Sequence, residues 1–173
     1  MRARPLLALL ALLSAAPASA AEPGCGAFAW HLSAERSLME GAAAGSLPSG
    51  GRVATVPSAF SLSLTRGGAG LPRAPERAPR DEAESWSGFA IVEVPAEATY
   101  RVTLAAEAWI DVLQDGVPAR AATFTGARDC PGLRKSVTFR LRPGPATVQV
   151  SGARQEAVRV ALTPDRVALA PDR

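Results

Sequence analysis

The chain has 173 residues and a formal net charge of +3, from 19 Lys and Arg against 16 Asp and Glu. This small excess excludes a polycationic nucleic-acid tail, and the length suits a single domain of about 100–200 residues. With 15 Gly and 15 Pro, the chain stays below the share of roughly 25–30% that is typical of disordered sequences.

The first 20 residues have the pattern of an export signal. Arg2 and Arg4 precede an apolar run over residues 6–13 and the small-residue triplet Ala18-Ser19-Ala20. This pattern predicts a signal peptide at 1–20, cleaved after Ala20, and a periplasmic or secreted mature protein. The apolar run is shorter than the about 20 residues that cross a bilayer, so we expect no stable membrane insertion after cleavage. Without those two arginines the mature chain carries 17 cations and 16 acids.

Residues 21–65 are predicted to form an N-terminal segment and the first strands of the fold. Residues 28–32 alternate between apolar and polar side chains like a short strand, and residues 33–39 have helical character over one or two turns. The alternation returns at 52–56 and 59–65, which predicts two further strands.

The next segment, residues 66–87, carries Pro72, Pro75 and Pro79 among charges of both signs. This composition predicts a long exposed loop. Residues 88–164 are almost wholly β in pattern and are predicted to form the main part of a sandwich, and residues 165–173 are expected to be a flexible tail. The strand-like stretches of the main part lie at 89–94, 100–104, 109–113, 121–125, 137–141, 148–150 and 158–162.

Eight or nine short strands separated by Gly, Pro and Asp turns predict an all-β fold. The pattern indicates a two-sheet antiparallel β-sandwich, jelly-roll-like, with a short N-terminal helical turn. A closed barrel is the alternative arrangement. Asp115-Gly116 is a typical signal of a type I′ hairpin turn.

Cys25 and Cys130 are the two cysteines of the chain. In an exported protein they are predicted to form one disulfide, because an oxidising compartment leaves few thiol pairs unjoined. The chain has no Cys-x-x-Cys pattern and a single histidine, so neither a redox pair nor a metal site is expected.

From residue 88 to residue 163 the order of motifs resembles the bacterial pre-peptidase C-terminal family of small sandwiches. The motifs are Pro-Ala-x-x-x-Tyr-Arg-Val-x-Leu, Trp-Ile-Asp-Val-x-x-Asp-Gly, Phe-Arg-Leu-Arg-Pro-Gly, Val-Gln-Val-Ser-Gly and Val-Arg-Val-Ala-Leu. That family lacks the N-terminal segment and the cysteine pair. The resemblance therefore implies the topology rather than an accessory role beside a protease.

The chain is also similar to a group of uncharacterised exported alphaproteobacterial proteins. The shared residues are Phe28-Ala29-Trp30, Glu35-Arg36, Trp109-Ile110-Asp111-Val112, Cys130 and Arg134-Lys135. Some proteins of this group carry the name homogentisate 1,2-dioxygenase. Such an iron site needs two histidines and a carboxylate, and the chain has His31 alone, so that chemistry is rejected and no cofactor is expected.

Trp109 and Asp111 form the first candidate binding site. If Ile110 and Val112 point into the core, Trp109 and Asp111 face the opposite way, and an outward Trp beside a carboxylate is suited to hold a sugar ring. The alternative is that the aromatic N-terminal segment folds across this face and buries Trp109.

Arg134, Lys135 and Arg140 belong to a second candidate, a cation-rich stripe. Between residues 128 and 142 five cations are opposed by a single acid. Such a stripe could meet an anionic envelope polymer or the acidic face of a partner protein, and the alternative is a solvated strand face. The stripe has no interleaved aromatic residues, so a nucleic-acid partner is not expected.

No catalytic residue is assigned. His31 with Asp111 or Glu35 and a serine could be imagined as a triad, but the chain has no Gly-x-Ser-x-Gly elbow. The carboxylates around Trp109 are explained by turns and exposed strand faces. The sequence therefore favours a non-enzymatic periplasmic or secreted binding or accessory protein. The alternative is a small hydrolase or carbohydrate-active module with a site around Trp109 and Asp111.

Overall fold

A computed structural model describes residues 24–41, 45–68 and 70–165 of the protein. The predicted signal peptide, and the predicted tail apart from Asp165, lie outside these ranges. Within them, twelve strands form two sheets that pack face to face, with one α-helix outside the sandwich. The predicted all-β two-sheet sandwich is thus confirmed, and the described strands form two separate sheets rather than a closed one.

The first sheet, sheet A, contains six strands. They are β1 (Ser46–Leu47), β3 (Ser58–Ser63), β6 (Ala98–Leu104), β9 (Ala121–Gly126), β10 (Lys135–Leu141) and β12 (Ala157–Pro164). Their spatial order is β1-β3-β12-β6-β10-β9. All neighbours in this sheet are antiparallel except β1, which runs parallel to β3.

The second sheet, sheet B, also contains six strands. They are β2 (Gly51–Val53), β4 (Thr65–Arg66), β5 (Trp86–Val94), β7 (Trp109–Gln114), β8 (Val117–Pro118) and β11 (Gly144–Ala153). The order is β2-β5-β11-β7-β8, and β4 pairs with one end of β5. The pair of β2 and β5 is parallel and the others are antiparallel. Short parallel pairs thus make both sheets mixed, whereas the long strands follow the predicted antiparallel pattern.

The hydrophobic core lies between the two sheets. Alternate residues of the central strands point inward, as Val92 and Val94 of β5 and Val148 and Val150 of β11 show. The Asp115-Gly116 turn joins β7 to β8 with positive φ at both residues (53° and 73°), which is the type I′ geometry that the sequence predicts.

The N-terminal segment forms a cap on the outer face of sheet A. It consists of a 3₁₀ turn (Cys25–Ala27), bends at residues 28–30 and the helix α1 (Ser33–Gly41). The helix confirms the predicted helical turns, but the predicted strand at 28–32 is wrong. The apolar side chains of residues 28–32 pack beside Ala161 of β12 and Leu133 of the loop before β10 instead of entering a strand ladder.

A buried polar cluster fixes the cap to sheet A. Glu35 of α1 is 2% exposed, and its Oε1 accepts a hydrogen bond of 2.6 Å from the hydroxyl of Thr163. The Arg101 guanidinium lies 3.6 Å from the same oxygen, contacts Trp30 and pairs with Asp165. Asp165, assigned to the tail by the sequence analysis, is therefore anchored to the sheet.

A disulfide between Cys25 and Cys130 fastens the beginning of the cap, as predicted. The Arg36 side chain reaches both sulfur atoms at 3.1 Å and donates to the carbonyl of Pro131 at 3.0 Å. Helix, cysteines and the loop after β9 are therefore joined at one point.

The proline-rich segment, residues 70–85, lies across the outer face of sheet B. The amide of Arg73 donates to the Gln149 side chain at 3.4 Å, and the amide of Glu76 donates to Asp111 Oδ2 at 3.4 Å. Most of its own side chains are exposed. Sheet A is thus covered by the cap and sheet B by this loop, which we call the cover loop.

Candidate functional site

An open groove of about 1320 Å³ lies at one end of the sandwich, where β7 and β10 begin, β9 ends and β11 bulges. We call it the Trp109 groove. The cover loop contributes its second half, and both sheets contribute strand ends. Its lining includes Arg77, Arg80, Asp81, Glu84, Glu107, Trp109, Phe124, Thr125, Gly126, Arg128, Arg134, Lys135, Gly152 and Arg154.

Trp109 stands in this groove with 37% of its surface exposed. The Arg77 guanidinium lies 4.7 Å from the centroid of its ring and Lys135 Nζ lies 3.9 Å from it. Both are cation–π contacts, because the face of the indole ring carries partial negative charge. The N-terminal segment, which the sequence analysis offered as a possible cover for Trp109, lies on sheet A and does not reach this face.

The groove carries an excess of positive charge. Among its acidic side chains, Glu84 pairs with Arg66 at 3.2 Å and Glu107 pairs with Arg134 at 3.0 Å. The third acidic side chain of the lining, Asp81, forms no ion pair with a described residue. The lining cations that form no ion pair with a described carboxylate are Arg77, Arg80, Arg128, Lys135 and Arg154.

Lys135 links the two sheets beneath Trp109. It opens β10, and its ammonium donates to the carbonyl of Ala108 at 3.3 Å. Burial lowers the pKa of Lys135, and the neighbouring charges of Arg77 and Arg134 lower it further, while Asp111 opposes the shift. A cation held here without a carboxylate in contact favours an anion nearby.

Asp111 lies beside the groove but under the cover loop, and it is not part of the lining. Burial raises its pKa, the charge of Glu76 acts in the same direction, and the Glu76 amide and Lys135 oppose the shift. Its neighbour across the sheet is Gln149 of β11.

In the structure, the residues of the predicted cation-rich stripe lie at two different ends of β10. Arg134 and Lys135 line the Trp109 groove, but Arg140 lies near the opposite end of β10 and pairs with Glu97 at 2.8 Å. Arg142 pairs with Asp115 at the same end. Thus Trp109, Arg134 and Lys135 come together, Asp111 is adjacent, and Arg140 is separate.

The structure places His31 and Asp111 on different sheets. His31 belongs to the cap on sheet A, whereas Asp111 is on the outer face of sheet B, so the sandwich separates them. A hydrogen bond and the charge from Arg134 lower the pKa of Glu107, which faces the groove. Asp111, in contrast, accepts a hydrogen bond from the cover loop and is not part of the groove lining.

Sequence reasoning missed the contributions of Arg77, Arg80, Arg154 and Phe124 to this groove. The first two belong to the cover loop, whose position no periodic pattern reveals. Arg154 follows the irregularity in β11, and Phe124 was predicted only as part of the strand at 121–125. Gly152 lies in that irregularity and has a positive φ of 72°. A glycine inside a strand pattern is a signal of a bulge, so the Val-Ser-Gly sequence could have indicated the irregularity.

The described part of the chain holds no cluster of three or more His, Cys, Asp or Glu side chains that could bind a metal ion. Within the described ranges, no helix has the length and apolar character needed to cross a membrane. Comparison of the chain with models of protein families and with curated proteins gives no match.

Proposed function

We propose that the protein is a non-enzymatic binding or accessory protein that holds an anionic ligand in the Trp109 groove. The observation that carries this proposal is the charge of the lining. Five of its cations form no ion pair with a described carboxylate, whereas Asp81 is its one acidic side chain without an ion pair to a described residue. Arginine side chains bind carboxylates and phosphates in bidentate geometry, which suits an acidic protein face or an anionic envelope polymer.

The size of the groove supports an extended ligand. Its volume of about 1320 Å³ exceeds the roughly 300–1,000 Å³ of small-molecule pockets. An open groove with cations spread along it matches a chain of acidic groups better than a single small anion.

Export belongs to the same proposal: residues 1–20 act as a signal peptide and the mature protein is periplasmic or secreted. The Cys25–Cys130 disulfide supports this, because such bonds persist in oxidising compartments. Membership of the exported alphaproteobacterial group is likewise proposed. Several of the residues that carry that resemblance, including Trp30, Glu35 and Cys130, fasten the cap to sheet A.

The alternative, a small hydrolase or carbohydrate-active module at Trp109 and Asp111, has weaker support. Asp111 accepts a hydrogen bond from the cover loop and does not line the groove. Arg77 and Lys135 contact the ring of Trp109 on which a sugar would stack.

Titration of the mature protein with polygalacturonate and with poly-L-glutamate tests the proposal. We expect binding at low ionic strength that weakens as salt is added, because exposed charge contacts are screened. Replacing both Arg128 and Arg154 by Gln should weaken binding by about tenfold, since two exposed contacts of about 0.7 kcal/mol each amount to that factor.

The matched control replaces Arg140 and Arg142 by Gln, which removes the same net charge far from the groove. It should leave affinity nearly unchanged. An equal loss of affinity in both double variants would show that binding follows net charge. If neither polymer binds at low salt, the proposal is contradicted.

A further inference from the structure

The sandwich protects most of its sheet edges. Within the described ranges, the outer strands β1, β2, β4 and β8 have two or three residues each. Pro118 also occupies β8. Short strands and prolines at sheet edges are the devices by which proteins prevent pairing with other chains.

Strand β9 is the exception. It has six residues at the edge of sheet A, and among the described strands it pairs with β10 alone. Its sequence, Ala-Ala-Thr-Phe-Thr-Gly, has neither a charge nor a proline, and its first four residues are exposed. The outer side of β9 therefore presents backbone N–H and C=O groups to which another strand can bind.

The free edge is continuous with the Trp109 groove. Phe124, Thr125 and Gly126 belong to β9 and also line the groove. Phe124 is 73% exposed, although its register partner on β10, Val137, is in the core. A strand added to β9 would thus lie beside an exposed aromatic ring and approach the groove cations.

Charge argues against a second copy of the protein as the occupant. Two β9 strands paired antiparallel about their common centre would bring Arg120 of one copy near Arg128 of the other, at both ends of the pair. Both side chains are exposed and neither forms an ion pair with a described residue. The acid next in sequence, Asp129, lies outside the groove lining. Like charges at such positions oppose association, whereas an acidic partner is attracted.

We propose that β9 receives an extended acidic peptide segment of a partner protein as an added strand. Backbone hydrogen bonds to β9 hold the segment, and its acidic side chains meet Arg128, Arg154 and Lys135 in the groove. This inference rests on the proposed function and names the ligand class of the same groove.

The test uses the mature protein at low salt and a seven-residue peptide with alternating Glu and Thr, acetylated and amidated at its ends. Successive N–H groups of a strand point to opposite edges. One peptide is N-methylated on the Thr nitrogens, and a second on the inner Glu nitrogens. Isothermal titration calorimetry should show at least about tenfold weaker binding for one of these two peptides and little change for the other. The reason is that only one edge of the peptide pairs with β9, and each peptide is methylated on one edge.

A peptide with Lys in place of Glu serves as the charge control and should not bind. If both methylated peptides bind as tightly as the parent, charge alone holds the peptide; strand addition is then overturned while the proposed function stands. If polygalacturonate binds and the parent peptide does not, the peptide partner is overturned and the groove remains. If neither the parent peptide nor either of the two polymers binds, both proposals fail.

Sedimentation velocity tests the remaining occupant, a second copy. We expect a monomer at micromolar concentration. A dimer that disappears in Ala122→Pro would assign the edge to self-association and overturn the peptide proposal. Ala122 suits this purpose because it lies at the register shift and has no partner residue on β10.

Discussion

Asp111 and Lys135 carry opposite charges beside Trp109, and burial disfavours the charged form of both side chains. Burial raises the pKa of Asp111 and lowers the pKa of Lys135, so in each case the neutral form is favoured relative to water. Their mutual attraction opposes both shifts without cancelling them. For both side chains, ionisation therefore lowers the stability of the folded protein, which is common where side chains serve binding.

We expect Asp111→Asn to stabilise the protein at pH 7. Because the pKa of Asp111 is higher in the folded state than the about 3.9 of the unfolded chain, its ionisation favours unfolding, and stability is lost as the pH rises through the folded pKa. Urea denaturation should give a higher midpoint for the variant at pH 7, and the difference should vanish below about pH 4.

Asp81→Asn is the matched control, because Asp81 is exposed in the same groove. Its effect on the midpoint should be small at both pH values. A lower midpoint for Asp111→Asn at pH 7 would show instead that the hydrogen bond from Glu76 outweighs the effect of burial.

The cover loop is the element that shapes the groove. Its contacts with sheet B include two long backbone-to-side-chain hydrogen bonds, to Gln149 and Asp111, and the exposed ion pair of Glu84 with Arg66 of β4. Pro79 and Arg77 also pack near Gly152 and Trp109. Beneath it, the described residues provide no hydrogen-bond partner for Ser87 Oγ or Ser151 Oγ. An element held by long hydrogen bonds and exposed side-chain contacts opens more readily than the strand ladders around it.

Gly152→Leu should displace the cover loop. A Cβ at this position would lie 3.6 Å from the Pro79 ring and 3.9 Å from Trp109, so the longer Leu side chain would overlap the proline. We expect trypsin to cleave after Arg77 and Arg80 several-fold faster than in the wild-type protein.

Gly132→Leu is the control for the backbone. Its φ is the same, 72°, but nothing lies within 4 Å of a Cβ there, so the cost of a left-handed residue, about 1–2 kcal/mol, is shared by both variants. Equal cleavage of the two variants would show that backbone strain, and not contact with Pro79, opens the loop.

The strands could be predicted from the sequence, whereas the groove could be predicted only in part. Alternation along β7 places Trp109 and Asp111 on the face opposite Val112, as the structure confirms. The irregular segments carry no such period. Nothing in the sequence indicates that Arg77 contacts Trp109, or that the N-terminal aromatic residues pack on sheet A. These contacts depend on which sheet face each segment covers, and that is decided by tertiary packing.

At the scale of the whole molecule, a disulfide joins two segments that are far apart in the sequence. Cys25 and Cys130 are 105 residues apart. Replacing both by Ser should lower the free energy of unfolding by about 4–5 kcal/mol, because the unfolded chain regains the entropy of a long open loop. Urea denaturation measures the loss, and hydrogen exchange should increase first in α1, which the bond holds on sheet A.

The wild-type protein in reductant is the matched control and should give the same midpoint as the double variant. An unchanged midpoint in the variant would show that the cluster of Glu35, Arg101 and Thr163 suffices to hold the cap.

The position of β12 has a consequence for the time at which the protein can fold. In sheet A this strand lies between β3 and β6, and Phe60 pairs with Val160, one hundred positions later. Until β12 has been synthesised, sheet A is divided into two halves that do not touch each other. Pairing across such a distance is slow to form. A nascent chain of this topology therefore cannot complete sheet A before β12 has been made, and the order of synthesis delays the closure of the sandwich.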